Sequence, residues 1–409
     1  MSKAISYKPR TAKSQAAKSG AASKLAQKSM PDRALYIDTE ALSSLALVQE
    51  GLLAPISHLA NASALHSPQG AYLTPFVLAP AGKRNQEVLR TTKPESTLEI
   101  ISNGAHVGSL HVQEVFAIDR FARARELTGL DCGAEFDGIY ARLGDYGVCG
   151  EYHVDFPDIT EARDRLHAQI QALNAKIITG IVLDGQIFHI AHERLIRDAL
   201  ADSDLVVVFL LKPYRSTPIG YDIQRECVEF AMEQFLIKKR LCIIPLDDTY
   251  LFMGTNNVLL HAMVARNYGC THFVVSDDTP NLSSFYESDT LHSVLDVIKD
   301  IKTRIAGGYV YCTTCAMLTN RKTCPHGKHH HISYDTKSIM ELFQAGVLPP
   351  SVLVRPEISA KLLSRLFPAR FHNLQKLHYS LIPQGVLPNE RSEEEFYLTL
   401  MRLYEMNVK

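Results

Sequence analysis

Two histidines three residues apart, His189 and His192 in the run His189-Ile190-Ala191-His192-Glu193, are the side chains in this sequence best spaced for chemistry. On a helix that spacing brings both imidazoles to one face. They follow the apolar run Lys176 to Leu183, which reads as a buried parallel strand, and His192 to Leu200 reads as the helix after it. A helix N-terminus offers unpaired N–H groups and positive dipole to an anion, so the spot is suited to a triphosphate and to nucleotidyl transfer. A metal pair is the weaker reading, because it calls for i,i+4 histidines and a third ligand. A satisfied pair of core histidines is the competing structural reading.

A second cluster lies further on, where Cys312-Thr313-Thr314-Cys315 precedes Cys324-Pro325-His326-Gly327-Lys328-His329-His330-His331. Three thiolates and one imidazole make a closed tetrahedral zinc site with no open position, so its role is structural. The fourth ligand is His329 or His326, which spacing does not separate. His329 is taken with Cys312, Cys315 and Cys324 as the expected set.

These groups must be held by a chain of 409 residues, 46% hydrophobic, with a formal net charge of −1. That length buries sizeable cores in two or three domains. The near-neutral charge argues against a nucleic-acid partner, and the lack of a long apolar run argues against a membrane span. The other five cysteines, Cys132, Cys149, Cys227, Cys242 and Cys270, read as core residues of a cytoplasmic protein. The first 30 residues hold seven Lys or Arg and no acid. They resemble a transit peptide or a flexible basic tail, and the tail is preferred.

Texture then divides the chain. Residues 1–33 are the tail, and 34–157 alternate short apolar pieces with turns, a mostly β module with few helices. From 158 to 307 strands and helices alternate: a helix over Thr160 to Leu173, strands at Lys176–Leu183, Asp204–Leu211, Leu241–Pro245 and Thr271–Ser276, and helices between them. This predicts a doubly wound parallel α/β sheet, with ligands beyond the carboxyl ends of its strands, where His189 lies. Residues 308–363 carry the cysteine cluster without a strand pattern. Residues 364–409 end in an amphipathic helix, Glu393 to Met406, that could pack on the body or on another subunit, the body being preferred.

Four separated blocks resemble the sulfate adenylyltransferase (ATP sulfurylase) family. They are His189 to Glu193, matching its HxxHE; Leu260 to Val275; Cys312 and Cys315 with Thr323 to Ser333; and Gly346 to Pro350 with Arg355-Pro356-Glu357. Asp155-Phe156-Pro157 more weakly resembles the linker after the family's PUA-like N-terminal domain. The resemblance covers about Ala34 to Leu363. It implies a PUA-like β-rich domain, a Rossmann-like HxxH nucleotidyltransferase domain and a small zinc-bearing C-terminal domain. It implies a reaction in which sulfate attacks the α-phosphate of MgATP in line, giving adenylyl sulfate and pyrophosphate. His189 and His192 would donate to the phosphoryl oxygens, with magnesium riding on the nucleotide. The implied partners are thus a nucleoside triphosphate and a small anionic acceptor. Relatives commonly assemble, so a homo-oligomer is an open expectation.

The anion-binding motifs depart from the family. Its Gln-Thr-Arg-Asn-Pro run has become Leu183-Asp184-Gly185-Gln186-Ile187, with Gly185 at the arginine and Gln186 at the asparagine. Its Gly-Arg-Asp-His-Ala-Gly loop reads Ser276-Asp277-Asp278-Thr279-Pro280-Asn281, retaining Asp278, and its Ala-Gly-Pro-Arg-Glu block reads Met253 to Asn257. Its Ser-Gly-Thr has become Ser333-Tyr334-Asp335-Thr336. Losing arginines removes the forks best suited to a dianion. Lys212, Arg215 and Arg225 are candidate replacements, against a reading as surface charge. Gly185, Gln186, Lys212, Arg215 and Asp278 are therefore the expected nucleotide-binding positions. Two other readings stand beside sulfate transfer: a different acceptor, or a non-catalytic nucleotide-binding relative. No GxxxxGK[ST] run occurs.

Overall fold

Valine, isoleucine and leucine fill the two central strands of the larger parallel sheet almost without interruption, as expected for strands covered on both faces. The computed structural model describes residues 33–66, 74–183, 187–212, 219–247, 250–251, 257–276, 298–371 and 392–406. The basic tail expected at 1–33 lies, but for Arg33, outside them.

The N-terminal part contains β1 (Ala34–Ile37), α1 (Thr39–Gln49), β2 (Leu78–Pro80), α2 (Lys83–Thr91), β3 (Thr97–Ser102) and β4 (Ala105–Ala117). It continues with α3 (Arg120–Thr128), α4 (Ala134–Arg142) and β5 (Leu143–Val154). The strands form one sheet in the order β1-β3-β4-β5-β2, antiparallel apart from the β1–β3 pair. The four helices correct the expectation of a module with few. Three of them give little apolar signal, since α2, α3 and α4 bury two or three residues each, whereas α1 buries eight.

The second sheet begins after α5 (Pro157–Leu173). It is built by β6 (Ile178–Leu183), α6 (Ile190–Asp202), β7 (Leu205–Lys212), α7 (Tyr221–Phe235), β8 (Leu241–Asp247), α8 (Asn257–Asn267), β9 (His272–Ser276) and β10 (Lys302–Ala306). The order β8-β7-β6-β9-β10, parallel throughout, is the 3-2-1-4-5 arrangement of a dinucleotide-binding sheet. The order of strand addition reverses between β6 and β9, so the ligand crevice of such a sheet opens at their carboxyl ends, next to His189. Strand β10 went unread in the sequence because its residues, Lys302-Thr303-Arg304-Ile305-Ala306, are exposed or half-buried at the sheet edge.

Both faces of this sheet are covered. One apolar core joins α5 and α8 to the N-terminal part, and the other joins α6 and α7 to the C-terminal segment. Gly180 lets β6 pass close under α8: a Cβ there would lie 3.1 Å from Ala265 Cβ and from Phe209 Cε2. The opposite edge, β8, is blunted by α5, whose Arg165 donates to the Ile243 carbonyl and Gln169 to those of Lys239 and Leu241.

The C-terminal segment corrects a second expectation. It does carry strands: β11 (Tyr309–Cys312), β12 (Met317–Asn320) and β13 (His331–Ser333) form an antiparallel sheet with β11 central. They are three or four residues long, too short to show alternation. Then come α9 (Thr336–Gln344), α10 (Pro356–Leu366) and α11 (Glu393–Met406). Tyr397 and Met401 of α11 are buried, and that helix packs on α10. Four of the five scattered cysteines are buried, while Cys132 is exposed.

Candidate functional site

The helix that carries the two histidines starts two residues earlier than periodicity suggested. His189 is the N-cap of α6, in extended conformation, and His192 is its third residue. Their side chains build a reciprocal capping box: His189 Nδ1 accepts from the His192 N–H at 3.4 Å, and His192 Nδ1 from the His189 N–H at 3.5 Å. The two rings stack at 3.7 Å between centroids, 12° from parallel. Burial, then the neighbouring His192, holds the His189 pKa well below the ordinary range. Burial likewise takes His192 down to about 4, against a backbone hydrogen bond at Ile187. Both rings are therefore neutral at pH 7. With Nδ1 of His189 accepting from the backbone, its proton sits on Nε2, and that edge is its donor.

The expected anion cradle at this helix start is changed by the C-terminal segment. The Ile190 N–H donates to the Leu353 carbonyl at 3.0 Å, and the His192 and Glu193 N–H groups go to the His189 carbonyl. Three first-turn donors are thus engaged within the protein. Tyr334 lies over His189, 5.3 Å between ring centroids, and its hydroxyl donates to the Val352 carbonyl. His189 is 6% exposed as a result. Next along, Glu193 is buried and accepts from Arg355 through Nε at 2.6 Å and Nη2 at 2.8 Å, and from Arg197 at 2.9 Å. Burial alone would raise the Glu193 carboxyl; the bonds from Arg355 and then Arg197 hold it below its usual value. Tyr309 on β11 donates to Asp198 in the third turn of α6. Neither the Tyr334 contact nor the Glu193–Arg355 pair was assigned a role from sequence. The only signal was that Arg355 and Glu193 both sat inside recognisable blocks.

Of the expected nucleotide-binding positions, Lys212 is described, at the end of β7 opposite Asp247 of β8. Burial raises the Asp247 carboxyl, opposed by Lys212 and by a hydrogen bond with Ser43. The Lys212 ammonium is 5.4 Å from the Tyr221 ring centre, and the buried Tyr221 hydroxyl has no hydrogen-bond partner among the described residues. Gly185, Gln186, Arg215 and Asp278 lie outside the described residues, as do Asp184, Asp277 and Asn256. Arg225 is paired with Glu229 at 2.7 Å along α7, an ordinary surface pair.

The cysteine cluster assembles, with one correction. Cys312, Cys315 and Cys324 meet His326, not His329, all four ligand atoms lying within 4.8 Å of one another. His326 Nδ1 is 3.5, 3.2 and 3.7 Å from the three sulfurs in that order, and Cys315 and Cys324 sulfurs are 3.9 Å apart. A tetrahedral zinc with ordinary bond lengths sets sulfur–sulfur separations of about 3.8 Å and sulfur–nitrogen separations of about 3.5 Å. The donor set and spacing therefore fit zinc. Pro325 turns the chain so that His326 folds back on the thiols, whereas His329 sits in the 3-10 turn Lys328–His330, exposed and packed on the His330 ring.

Residues 158–365 match the ATP-sulfurylase family. A sulfate adenylyltransferase of Carboxydothermus hydrogenoformans is 26% identical over 287 residues, 67% of this chain and 74% of that protein. One from Chloroflexus aurantiacus is 25% identical over 351 residues, 80% of this chain and 89% of that protein. Among solved structures, a hexameric APS kinase from Thiobacillus denitrificans is similar with a TM-score of 0.58 at 15% identity, over 82% of this chain. This chain spans 63% of that chain's length, and at such identity the likeness is one of fold.

Proposed function

Because this chain belongs to the ATP-sulfurylase family, whose members are nucleotidyltransferases, we propose that it transfers an adenylyl group from ATP to sulfate, releasing pyrophosphate. The observation that carries this reading is the neutral histidine pair at the start of α6, beside the point where the strand order of the parallel sheet reverses. In-line attack on the α-phosphorus builds negative charge on its non-bridging oxygens. Preorganised N–H donors aimed there stabilise that charge and need no proton transfer of their own. His189, with Nδ1 occupied by the backbone, would offer Nε2–H to the α-phosphoryl oxygens, and His192 would serve the departing pyrophosphate. Depressed pKa values keep both as neutral donors across the physiological range. Magnesium enters with the nucleotide as part of the substrate. Gly185, Gln186, Lys212, Arg215 and Asp278 would complete the nucleotide site. Since His189 is nearly enclosed, ligand approach requires the Tyr334 side of the cover to yield.

A second reading, transfer to a different anionic acceptor, is favoured by one specific observation. Gly185 stands where the family has an arginine, and Asp277 adds a carboxylate. That exchange disfavours a bare dianion more than it disfavours a nucleotide. Around this centre we read 34–157 as a PUA-like module, 158–307 as the catalytic domain, 308–363 as a zinc-holding subdomain and 364–409 as a helical extension. Zinc on Cys312, Cys315, Cys324 and His326 would cross-link β11, the turn after it and the β12–β13 connection.

The test is pyrophosphate release from ATP across a panel of sulfate, phosphate, phosphonates and organic acids. His189→Ala and His189→Asn serve as controls; asparagine restores an N-cap acceptor but not the Nε2 donor. Sulfate-dependent release that drops roughly 100- to 1,000-fold in both variants supports the first reading. Release with another acceptor alone supports the second. Absence of nucleotide binding by calorimetry overturns both.

A further inference from the structure

Glu193 ends the histidine run, yet its carboxylate is turned into the protein and spent on arginines. One of these, Arg355, comes from 162 residues further along the chain and binds both carboxylate oxygens in the paired geometry an arginine fork prefers. Its guanidinium also lies 4.2 Å over the Phe235 ring, which fixes its plane. Arg355 is the N-cap of α10, followed by Pro356 at the first helical position. Two residues before it, Leu353 accepts the Ile190 N–H. Residues 353 to 355 therefore grip the first turn of α6 twice, at its first backbone donor and at its fourth side chain. His192 lies between those grips, and His189 immediately precedes the first.

We propose that Arg355 is a positioning residue, holding the two imidazoles in register through Glu193 without touching substrate or either histidine. A capping box made of hydrogen bonds of 3.4 and 3.5 Å is a loose restraint on its own. Turning the first turn of α6 by a fraction of a residue would swing both ring edges, and donor geometry at a transferring phosphoryl group tolerates little displacement. The backbone grip sets where the helix starts, and the carboxylate–guanidinium pair sets its rotation. Lysine could supply the charge but not the fork.

The kinetic part of this proposal rests on the nucleotidyl-transfer reading; the geometric part does not. The experiment uses the full-length chain with [15N]histidine labelling. Imidazole resonances are followed against pH in wild type, Arg355→Ala, Arg355→Lys, Glu193→Gln and the control Arg365→Ala, which breaks the exposed Arg365–Glu226 pair between α10 and α7. Expected in Arg355→Ala is displacement of both His189 and His192 resonances and a rise of their titration midpoints towards the ordinary histidine value. Glu193→Gln should move them the same way, Arg355→Lys less, and Arg365→Ala not at all. In the pyrophosphate assay kcat should fall roughly 10- to 100-fold in Arg355→Ala with a smaller change in KM for ATP. Unchanged histidine resonances in folded Arg355→Ala overturn the proposal, as does an equal kcat loss in Arg365→Ala at matched thermal stability. If Arg355→Ala does not fold, Arg355→Lys and Glu193→Gln decide by the same resonances. If wild type transfers to no acceptor, the transfer reading fails and the titration arm still judges the positioning role.

Discussion

Three imidazoles, those of His189, His192 and His261, are held inside the protein as neutral rings, and that choice has a pH signature. His192 and His261 titrate near 4 in the folded protein, driven there by burial, against 6.5 for an ordinary histidine. Between those values the unfolded chain binds more protons than the folded one, so stability falls as pH drops from about 6.5 towards 4 and is untouched by these groups above that window. His189 acts in the same direction. Urea unfolding at pH 7.5, 6 and 5 should show this decline. A His192→Asn, His261→Gln double variant should flatten it by up to about 1.4 kcal/mol per pH unit for each histidine removed. An unaltered slope in the double variant would mean that other groups govern acid sensitivity. The sequence made His189 and His192 legible as a pair, but not their use of each other's backbone. A capping box conventionally pairs Ser or Thr with Glu or Gln, so two histidines give no familiar signal.

At the scale of elements, the second sheet was readable because its strands are apolar runs of five to eight residues separated by helix-length segments. The strand that was not readable, β10, is an edge strand whose polar residues gain their place only by pairing with β9. The three short strands of the cysteine-bearing sheet were hidden for a related reason: non-local pairing, not pattern, defines them. Close packing between elements is tested at Gly180, where β6, Phe209 of β7 and Ala265 of α8 converge. Gly180→Val should lower unfolding free energy by about 1–3 kcal/mol through overpacking, measured by denaturant titration. A neutral result would show that α8 can retreat from the sheet.

Across the whole molecule, the C-terminal segment is not an appendage to the parallel sheet. Ile339, Phe343, Leu353, Val354, Ile358 and Leu362 share one apolar core with Ile181, Leu195 and Val206. The cysteine-bearing strands reach the histidine site directly, since β13 ends at Ser333 and Tyr334 follows it onto His189. Metal analysis should find one zinc per chain in protein purified without chelator. His326→Ala should lose it, His329→Ala should keep it, and chelation should lower Tm by several degrees. Retention of zinc by His326→Ala but not by His329→Ala would reverse the ligand assignment. By itself, then, the sequence determined what is set by local period and by residue type: the βα alternation, the histidine pair on one helix start, the clustered thiols. Tertiary structure alone decided which histidine reaches those thiols, and which carbonyl and which arginine close over the first turn of α6. Those choices depend on where residues 324 to 355 are carried in space, and contacts between positions as far apart as Glu193 and Arg355 leave no periodic trace in the chain.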